Sequence, residues 1–505
     1  MIEATFGSRE LQAQGLPTSF HSPLKVLTAK RHEEVYPLLQ AAEAEALAGR
    51  WVALMLSYEA APAFDPAMKT RLASELPLGW AAVFDAPGET LSPDAGEEYQ
   101  VGPWTPRVSR EDFSNAISQI RELIAAGDTY QVNFTFPLVA DFTGDARAWF
   151  RNLCRAQGAE YCVYFDLGRY KVLSVSPELF FELEGRKVTT RPMKGTIGRG
   201  RWLEEDNQMA ERLSASAKDR AENVMIVDLL RNDVGRVAAP GSVKVTRLFE
   251  LERYETLWQM TSTIEASLRS DVDFAELMAR LFPCGSITGA PKIRTMEIIR
   301  DLEPFPRGVY TGTLGFLRPG GSAVFNVAIR TIVIDSEEGV ATFGVGGGIT
   351  YDSTAEREYE ECLVKSSFLD SQPVEFQLLE TMLLEGGGFF LLERHLDRMK
   401  ASAAYFGFSF PEAKIRSELT RIAGVHAHGI MKTRLLVSRC GEVSIETQKR
   451  EDLTHTALRV ALAAKPVSTG NKFLFHKTTN RSVYDDAIAA RPNYDDVILW
   501  NEAGE

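Results

Sequence analysis

Histidine is scarce where acid–base chemistry would use it: of seven histidines, only His21 and His32 precede position 373. Any proton transfer in the first three quarters of the chain therefore falls to carboxylates or lysines. Cysteine is equally thin. The five present (Cys154, Cys162, Cys284, Cys362 and Cys440) are odd in number and far apart, which excludes a disulfide framework or a zinc site and fits reduced thiols in a reducing compartment. Positive charge is in deficit, with 56 Lys and Arg against 69 Asp and Glu and a net charge of -13, which opposes binding to nucleic acid. No apolar run approaches the roughly eighteen residues of a membrane span. Residues 1–14, MIEATFGSRELQAQ, lack the basic-then-apolar pattern of a leader. The expected location is the cytoplasm, with no membrane partner. Neither internal repeats nor low-complexity segments occur, and neither GxxxxGK[ST] nor a helix-opening GxGxxG is present, which disfavours nucleotide binding.

What is present is enough for more than one core, because 505 residues with 45% hydrophobic side chains exceed what a single domain buries. WVALMLSYEAAPAF (51–64) reads as a buried strand running into a loop, and apolar residues recur at helical spacing from Glu111 to Ala126, where Gly127-Asp128 ends the helix. TYQVNFTFPLVADF, YCVYFDLGRYKVLSVSPELFFEL and KVTTRPMKGTIG read as β segments, and one long helical pattern runs from about Trp202 to Leu230. A second β-rich block (GVYTGTLGFL, SAVFNVAIRTIVID, VATFGVGGGIT) is closed by a helix through AEREYEECLVKSSFL. Strands and helices alternate, so the class is α/β or α+β. The expected divisions are 1–105, an N-terminal part of the first domain; 106–370, its catalytic core; 371–376 (SQPVEF), a linker; and 377–505, a second domain.

Two acidic pairs carry the first chemical signal: Asp219 with Glu222, and Glu358 with Glu361. A spacing of three puts each pair on one helix face, and two such helices meeting could offer four acids to magnesium, which takes oxygen ligands and keeps open positions for substrate. Spacing alone does not separate that from a solvated face. The second signal is a set of glycine-rich turns, RPMKGTIGRG, FPCGSITGAPKIRTMEII and GVGGGIT. They let backbone N–H groups approach a ligand, with Lys or Arg beside them to hold carboxylates. An anionic ligand fits them.

In order, GDTYQVNFT, SPELFFE, RPMKGTIGRG, KDRAENVMIVDLLRNDVGRV, FPCGSITGAPKIRTMEII, FNVAIRTI, GVGGGIT and EREYEECLVK resemble the chorismate-utilising family, which includes the anthranilate, aminodeoxychorismate, isochorismate and salicylate synthases. The resemblance covers roughly Arg107 to Ser367, with a looser match at LSYEAAPAFD. It implies an α/β (α+β) fold, a two-sheet chorismate-binding α/β sandwich with the active site between its halves. It also implies that Glu222 and Glu361 hold Mg2+ and that Asp219 and Glu358 stand behind them. Tyr310, Arg330, Gly346, Gly347 and Lys365 would surround the carboxylates of chorismate, with Thr196 and Ser286 from the same motifs beside them.

Two positions bear on which reaction the resemblance implies. Water-using members carry a lysine base where this chain has Gln131, and a neutral amide cannot activate water. Ammonia is the expected nucleophile. The second position is Lys194, where anthranilate synthases have a small residue and aminodeoxychorismate synthases have lysine. The implied mechanism adds Lys194 at C2 as the C4 hydroxyl leaves, with Glu178 as acid, and ammonia then displaces the lysine to place nitrogen at C4 without loss of pyruvate. Gln259 stands where the family often has histidine, which argues further against anthranilate formation. No GxCxG-type nucleophile elbow is seen, so a partner glutamine amidotransferase is the implied source of ammonia. An anthranilate synthase component is the rival within the family.

From Phe376, FQLLETMLL, LLERHLDRM and HKTTNRSVYDDA resemble the start of a fold-type IV pyridoxal-phosphate enzyme, nearest to aminodeoxychorismate lyases and class IV aminotransferases. The resemblance implies that Arg398 holds the cofactor phosphate and that Lys477 forms the Schiff base. The stretch reaches Glu505 before the family's glutamate that faces the pyridine nitrogen, and the expectation is that this partial domain binds pyridoxal phosphate weakly or not at all and releases little pyruvate from aminodeoxychorismate. A reading from another class makes this segment the enzyme, a lyase or transaminase, and the long N-terminal part a binding module.

Overall fold

The computed structural model of the chain describes residues 2–7, 19–72, 75–88, 98–370, 374–449 and 457–505. Part of the N-terminal stretch read for a leader and the first three residues of the expected linker, 371–373, lie outside the described residues. Two compact units result. The first comprises Met1–Thr196 and Leu213–Gln372, the second Ile197–Arg212 and Pro373–Glu505.

The first unit is built on two ten-stranded, antiparallel sheets. The strand Trp51–Leu56 shows why the sheets stack: Val52, Leu54 and Leu56 enter one apolar cluster, whereas Ala53 and Met55 enter another. Successive side chains of a strand point to opposite faces, so a strand that is apolar at every position must be covered on both. The strand Tyr161–Asp166 does the same in the other sheet, with Val163 and Phe165 joining Ala53 and Met55 while Cys162 and Tyr164 point outward. The middle cluster therefore lies between the sheets. The outer faces are covered by helices, Val35–Leu47, Ala217–Gly235 and Phe274–Leu281 on one sheet and Arg110–Ala125, Ala146–Gln157, Lys292–Leu302 and Ala355–Ser366 on the other. The class is α+β, in four layers.

Local chemistry sets the element ends. Ser109 accepts a hydrogen bond from the Asp112 backbone N–H at 3.0 Å to open the helix Arg110–Ala125, and Gly127, at φ 83, lies just past its end. The long helical pattern from Trp202 to Leu230 is in fact two helices, Leu203–Ala215 and Ala217–Gly235. Ser216 breaks it: its hydroxyl accepts from the Asp219 N–H at 3.3 Å, so the second helix starts with its own cap. The stretch after Trp51–Leu56, read as a loop, is a short 3-10 helix, Tyr58–Ala63.

In the second unit an antiparallel sheet runs in the order Gly388–Phe389, Leu378–Glu385, Ile430–Val437, Val443–Lys449. Helices Leu392–Phe406 and Glu412–Val425 pack on it. The unit also takes in Ile197–Arg212 from the middle of the sequence. Tyr405 Oη donates to the Gly200 carbonyl at 2.7 Å, and a ring nitrogen of the buried His476, Nε2, lies 3.1 Å from the Arg201 carbonyl. Among the described residues no helix is long and apolar enough to cross a membrane, and all five thiols are free.

Candidate active site

The glycine run of GVGGGIT lies in the strand Val340–Ile349, which pairs with Gln131–Gly144 so that Gly346 faces Thr135 and Gly348 faces Asn133. Val132, Phe134, Phe136 and Leu138 point to the helix-covered side. Gln131 and Asn133 therefore point the other way, into the gap between the sheets. A Cβ on Gly348 would stand 2.4 Å from Gln131 Nε2 and 2.6 Å from Lys194 Nζ. A Cβ on Gly347, on the opposite face, would stand 3.2 Å from Glu358 Oε2 and 3.8 Å from Lys365 Nζ. The run thus lets charged groups touch the strand from both sides.

Lys194 enters from the other sheet on the strand Met193–Gly198, which is locked from three directions. Asn223 Nδ2 donates to the Lys194 carbonyl at 3.3 Å. Gln259 Nε2 donates to the Gly195 carbonyl, and Thr196 Oγ1 donates to Gln259 Oε1, both at 2.9 Å. Gly195 has φ 98, and a Cβ there would press within 3.0 Å of Asp219 Cβ, so only glycine lets the helix Ala217–Gly235 back this closely against the lysine strand.

The electrostatics fit an amine nucleophile. Burial lowers the Lys194 ammonium from its ordinary range, and Lys365 adds to this, while Glu222, Glu361 and Glu178 pull it back up. The Glu178 carboxyl is raised to about 7 by burial, against the Ser286 hydroxyl, Lys194 and the Met193 backbone, which favour its anion. At neutral pH it holds a proton about half the time, and its Oε1 has no partner. Gln131 is 1% exposed and neither atom of its carboxamide has a partner. Buried amides are rarely left unsatisfied, and those that are call for an explanation such as a site for a small polar guest.

Of the four acids, Glu222 and Glu361 both act on Lys194, whereas Asp219 lies against Gly195 and Glu358 accepts from Ser353 Oγ at 2.7 Å. Burial raises the Glu361 carboxyl, but Lys365, at 2.8 Å, with Lys194 and Lys218, outweighs it and holds the group below its ordinary value. Glu222 pairs with Lys218 at 3.8 Å. Among the described residues no group of three or more His, Cys, Asp or Glu gathers as a metal cage. The donors fit magnesium nonetheless: Glu222 and Glu361, both in range of Lys194, offer the oxygen atoms that ion takes, with the remaining positions left to water and substrate. Lys365 also donates to the Gly346 carbonyl at 2.9 Å. Arg330, at φ 48, donates to Gln157 Oε1, and burial brings its guanidinium down to about 10. The Tyr310 ring lies across Gly344, two residues before the glycine run, with its hydroxyl in the field of Arg307 and Cys362. Sequence reasoning passed over Asn223 and the particular role of Gly348. The first was signalled only by adjacency to Glu222, and the second only by the run itself.

In the second unit, the Leu379 N–H donates to the Lys477 carbonyl at 3.0 Å and so brings that lysine to the sheet. Buried Glu380 accepts from Arg398 at 2.7 and 2.6 Å and lies 2.7 Å from His395 Nδ1. Burial lowers the Lys477 ammonium, Glu380 opposes this, and Arg398, Arg481 and Lys432 reinforce it.

The chorismate binding enzyme family matches residues 8–371, most of the chain. The chain belongs to the chorismate-binding enzymes. The class IV amino-transferase family matches residues 377–505. The aminodeoxychorismate synthase component 1 of Salmonella typhimurium is 42% identical over 262 residues, 52% of this chain and 57% of that protein. The anthranilate synthase component 1 of Thermus thermophilus is 40% identical over 261 residues, 52% of this chain and 56% of that protein. The chain thus spans less than two thirds of the length of these relatives. The crystal structure of anthranilate synthase component I from Streptococcus pneumoniae TIGR4 shares the fold, with a TM-score of 0.60 at 24% identity over 69% of this chain and 91% of that one.

The raised Glu178 carboxyl makes stability depend on pH. Unfolded, it releases its proton near 4.5; folded, near 7. Between those values the native state keeps a proton that the unfolded chain has lost, so stability falls as pH rises through that window, by about 3 kcal/mol in full. Glu178→Gln removes that dependence. Its urea midpoint relative to wild type is expected to climb from pH 4.5 to above 7, and a difference that stays flat with pH would show that the carboxyl is not raised.

Proposed function

We propose that the chain aminates chorismate at C4 to give 4-amino-4-deoxychorismate, with Lys194 as covalent nucleophile and ammonia supplied by a separate glutamine amidotransferase subunit. Identity does not choose between aminodeoxychorismate and anthranilate synthases, which match almost equally. The observation that carries the choice is the Lys194 amine, buried, lowered in pKa and placed beside the Gln131 carboxamide at Gly348.

In this reading Lys194 attacks C2 with its neutral amine, both conjugated ring double bonds shift one place towards C4, and the C4 hydroxyl departs as water with the proton of Glu178. Ammonia then adds at C4, the double bonds return, and the lysine leaves from C2 with its electron pair. The enolpyruvyl group is untouched. Glu222 and Glu361 would hold magnesium, which when bound neutralises the ring carboxylate of the substrate. Lys365 and Arg330 serve the carboxylates of chorismate, Tyr310, Thr196, Ser286, Gly346 and Gly347 complete the walls, and Gln131 receives ammonia. The products of this site pass to the class IV segment, where Lys477 and Arg398 would hold pyridoxal phosphate. The pair fits that group in being a lowered amine close to a guanidinium, although Glu380 already takes two of the Arg398 bonds. When bound, the cofactor supplies the electron sink needed for loss of pyruvate. The reaction sequence, like the soluble biosynthetic role it implies, places the protein in the cytoplasm and in p-aminobenzoate supply for folate.

The deciding experiment incubates the chain with chorismate, magnesium and ammonium and reads products and protein by mass spectrometry. Aminodeoxychorismate and a chorismate-derived adduct on Lys194 are expected; Lys194→Ala loses the adduct and slows amination. Anthranilate as product, or an adduct elsewhere, overturns the reading. Glu361→Gln is expected to raise the magnesium needed for half-maximal rate by at least roughly the 10- to 100-fold that loss of even an outer-shell partner costs. An unchanged magnesium profile removes it as a ligand. For the second unit, borohydride reduction after addition of pyridoxal phosphate is expected to fix the cofactor on Lys477 and nowhere else, with no labelling in Lys477→Ala. Equal labelling in that variant refutes the assignment.

A further inference from the structure

Gln131 and Glu178 share a problem. Each has a buried polar atom with no partner, so the placement of each depends on its near neighbours. Arg307 ties the strand that carries Gln131 to the stretch that carries Ser286, beside Glu178.

Arg307 is almost wholly buried, and each of its five N–H groups has an acceptor. Nε and Nη2 donate to the two oxygens of Glu303 at 2.8 and 2.7 Å, Nη2 also to the Asn133 carbonyl at 2.6 Å, and Nη1 to the Ile287 carbonyl at 2.9 Å and to Thr311 Oγ1 at 3.4 Å. Asn133 is two residues along the strand from Gln131, on the same face. Ile287 follows Ser286, whose hydroxyl favours the Glu178 anion. Glu303 extends the grip, since its Oε1 also accepts from the Thr135 N–H at 2.8 Å and from its hydroxyl at 3.0 Å. The guanidinium itself is fixed from behind. Glu59 accepts from the backbone N–H of Arg307 and Gly308 at 2.8 and 3.0 Å, and the Tyr58 ring lies 4.7 Å from the guanidinium carbon.

A buried ion pair is a poor source of stability, because removing two charges from water offsets most of their attraction. A fork that spends its outer donors on two separate carbonyls is better explained by the distance it enforces. We propose that Arg307 is a positioning residue: by clamping the Asn133 and Ile287 carbonyls it sets Gln131 and the Ser286–Glu178 pair at fixed places around Lys194. This rests on the amination reading above. Its effect runs through the two carbonyls.

The test compares wild type with Arg307→Lys and Glu303→Gln in the full chain, with saturating ammonium and magnesium. Lysine keeps the charge but cannot reach both carbonyls, and the glutamine keeps its shape while weakening the fork. Misplacing reacting groups by about 1 Å costs on the order of 10²-fold in rate. We expect kcat to fall by about that factor in Arg307→Lys and by a smaller factor in Glu303→Gln. The KM for chorismate should rise far less than kcat falls, because Lys365 and Arg330, the groups assigned to its carboxylates, are not on the clamped segments. A second readout needs no turnover: the rate at which an amine-reactive ester labels Lys194 at fixed pH, which should change in both variants if its neighbours have moved. Wild-type kcat and wild-type labelling in a folded variant overturn the proposal, as does a rise in KM matching the fall in kcat. If Arg307→Lys does not fold, Glu303→Gln decides. If wild type itself aminates nothing, the function is wrong, and the labelling rate still judges Arg307.

Discussion

Everything in the first unit's centre depends on a missing atom. Two sheets that stack through Phe, Val and Met side chains stand about 10 Å apart, too far for groups on one backbone to touch the other. At Gly348 the strand offers no side chain, and the Lys194 amine and the Gln131 carboxamide fill the place where a Cβ would be. Lys194 is thereby brought out of water, with three carboxylates and a second lysine in range. Its lowered basicity follows from that placement, as does the raised Glu178 carboxyl on the same gap.

The frame around this gap is made by burial and caps. Strands apolar at every position force a cover on both faces, and the helices that provide it carry the acids. Ala217–Gly235 brings Glu222 and Asn223 to the lysine strand, and Ala355–Ser366 brings Glu361 and Lys365 to the glycine strand. The two helices approach the site from opposite outer layers. Any cation gripped by both glutamates would therefore tie the two halves of the sandwich together.

Much of this was legible in the residues. The i, i+3 spacing of the acids is a property of helices, and the glycine run announces a close approach, so both could be read before any fold was known. The helix break at Ser216 was not legible, because SASAK continues the helical pattern and only the competing hydroxyl cap ends it. Arg307 was invisible for a different reason. Two of its acceptors, at 133 and 287, lie far from it along the chain, and no local pattern marks a residue whose meaning comes from three stretches meeting. The same holds for Ile197–Arg212, which sits among chorismate-enzyme motifs yet finds its hydrogen-bond partners on residues after 400.

That segment changes what it means to separate the two units. The chain leaves the first unit at Thr196, returns at Leu213 and leaves again after Gln372, so the two are threaded through one another in sequence and not strung end to end. A protease cutting between residues 371 and 376 would leave Ile197–Arg212 on one fragment and its partners Tyr405 and His476 on the other. During synthesis the Gly200 and Arg201 carbonyls leave the ribosome 205 and 275 residues before Tyr405 and the His476 ring that meet them.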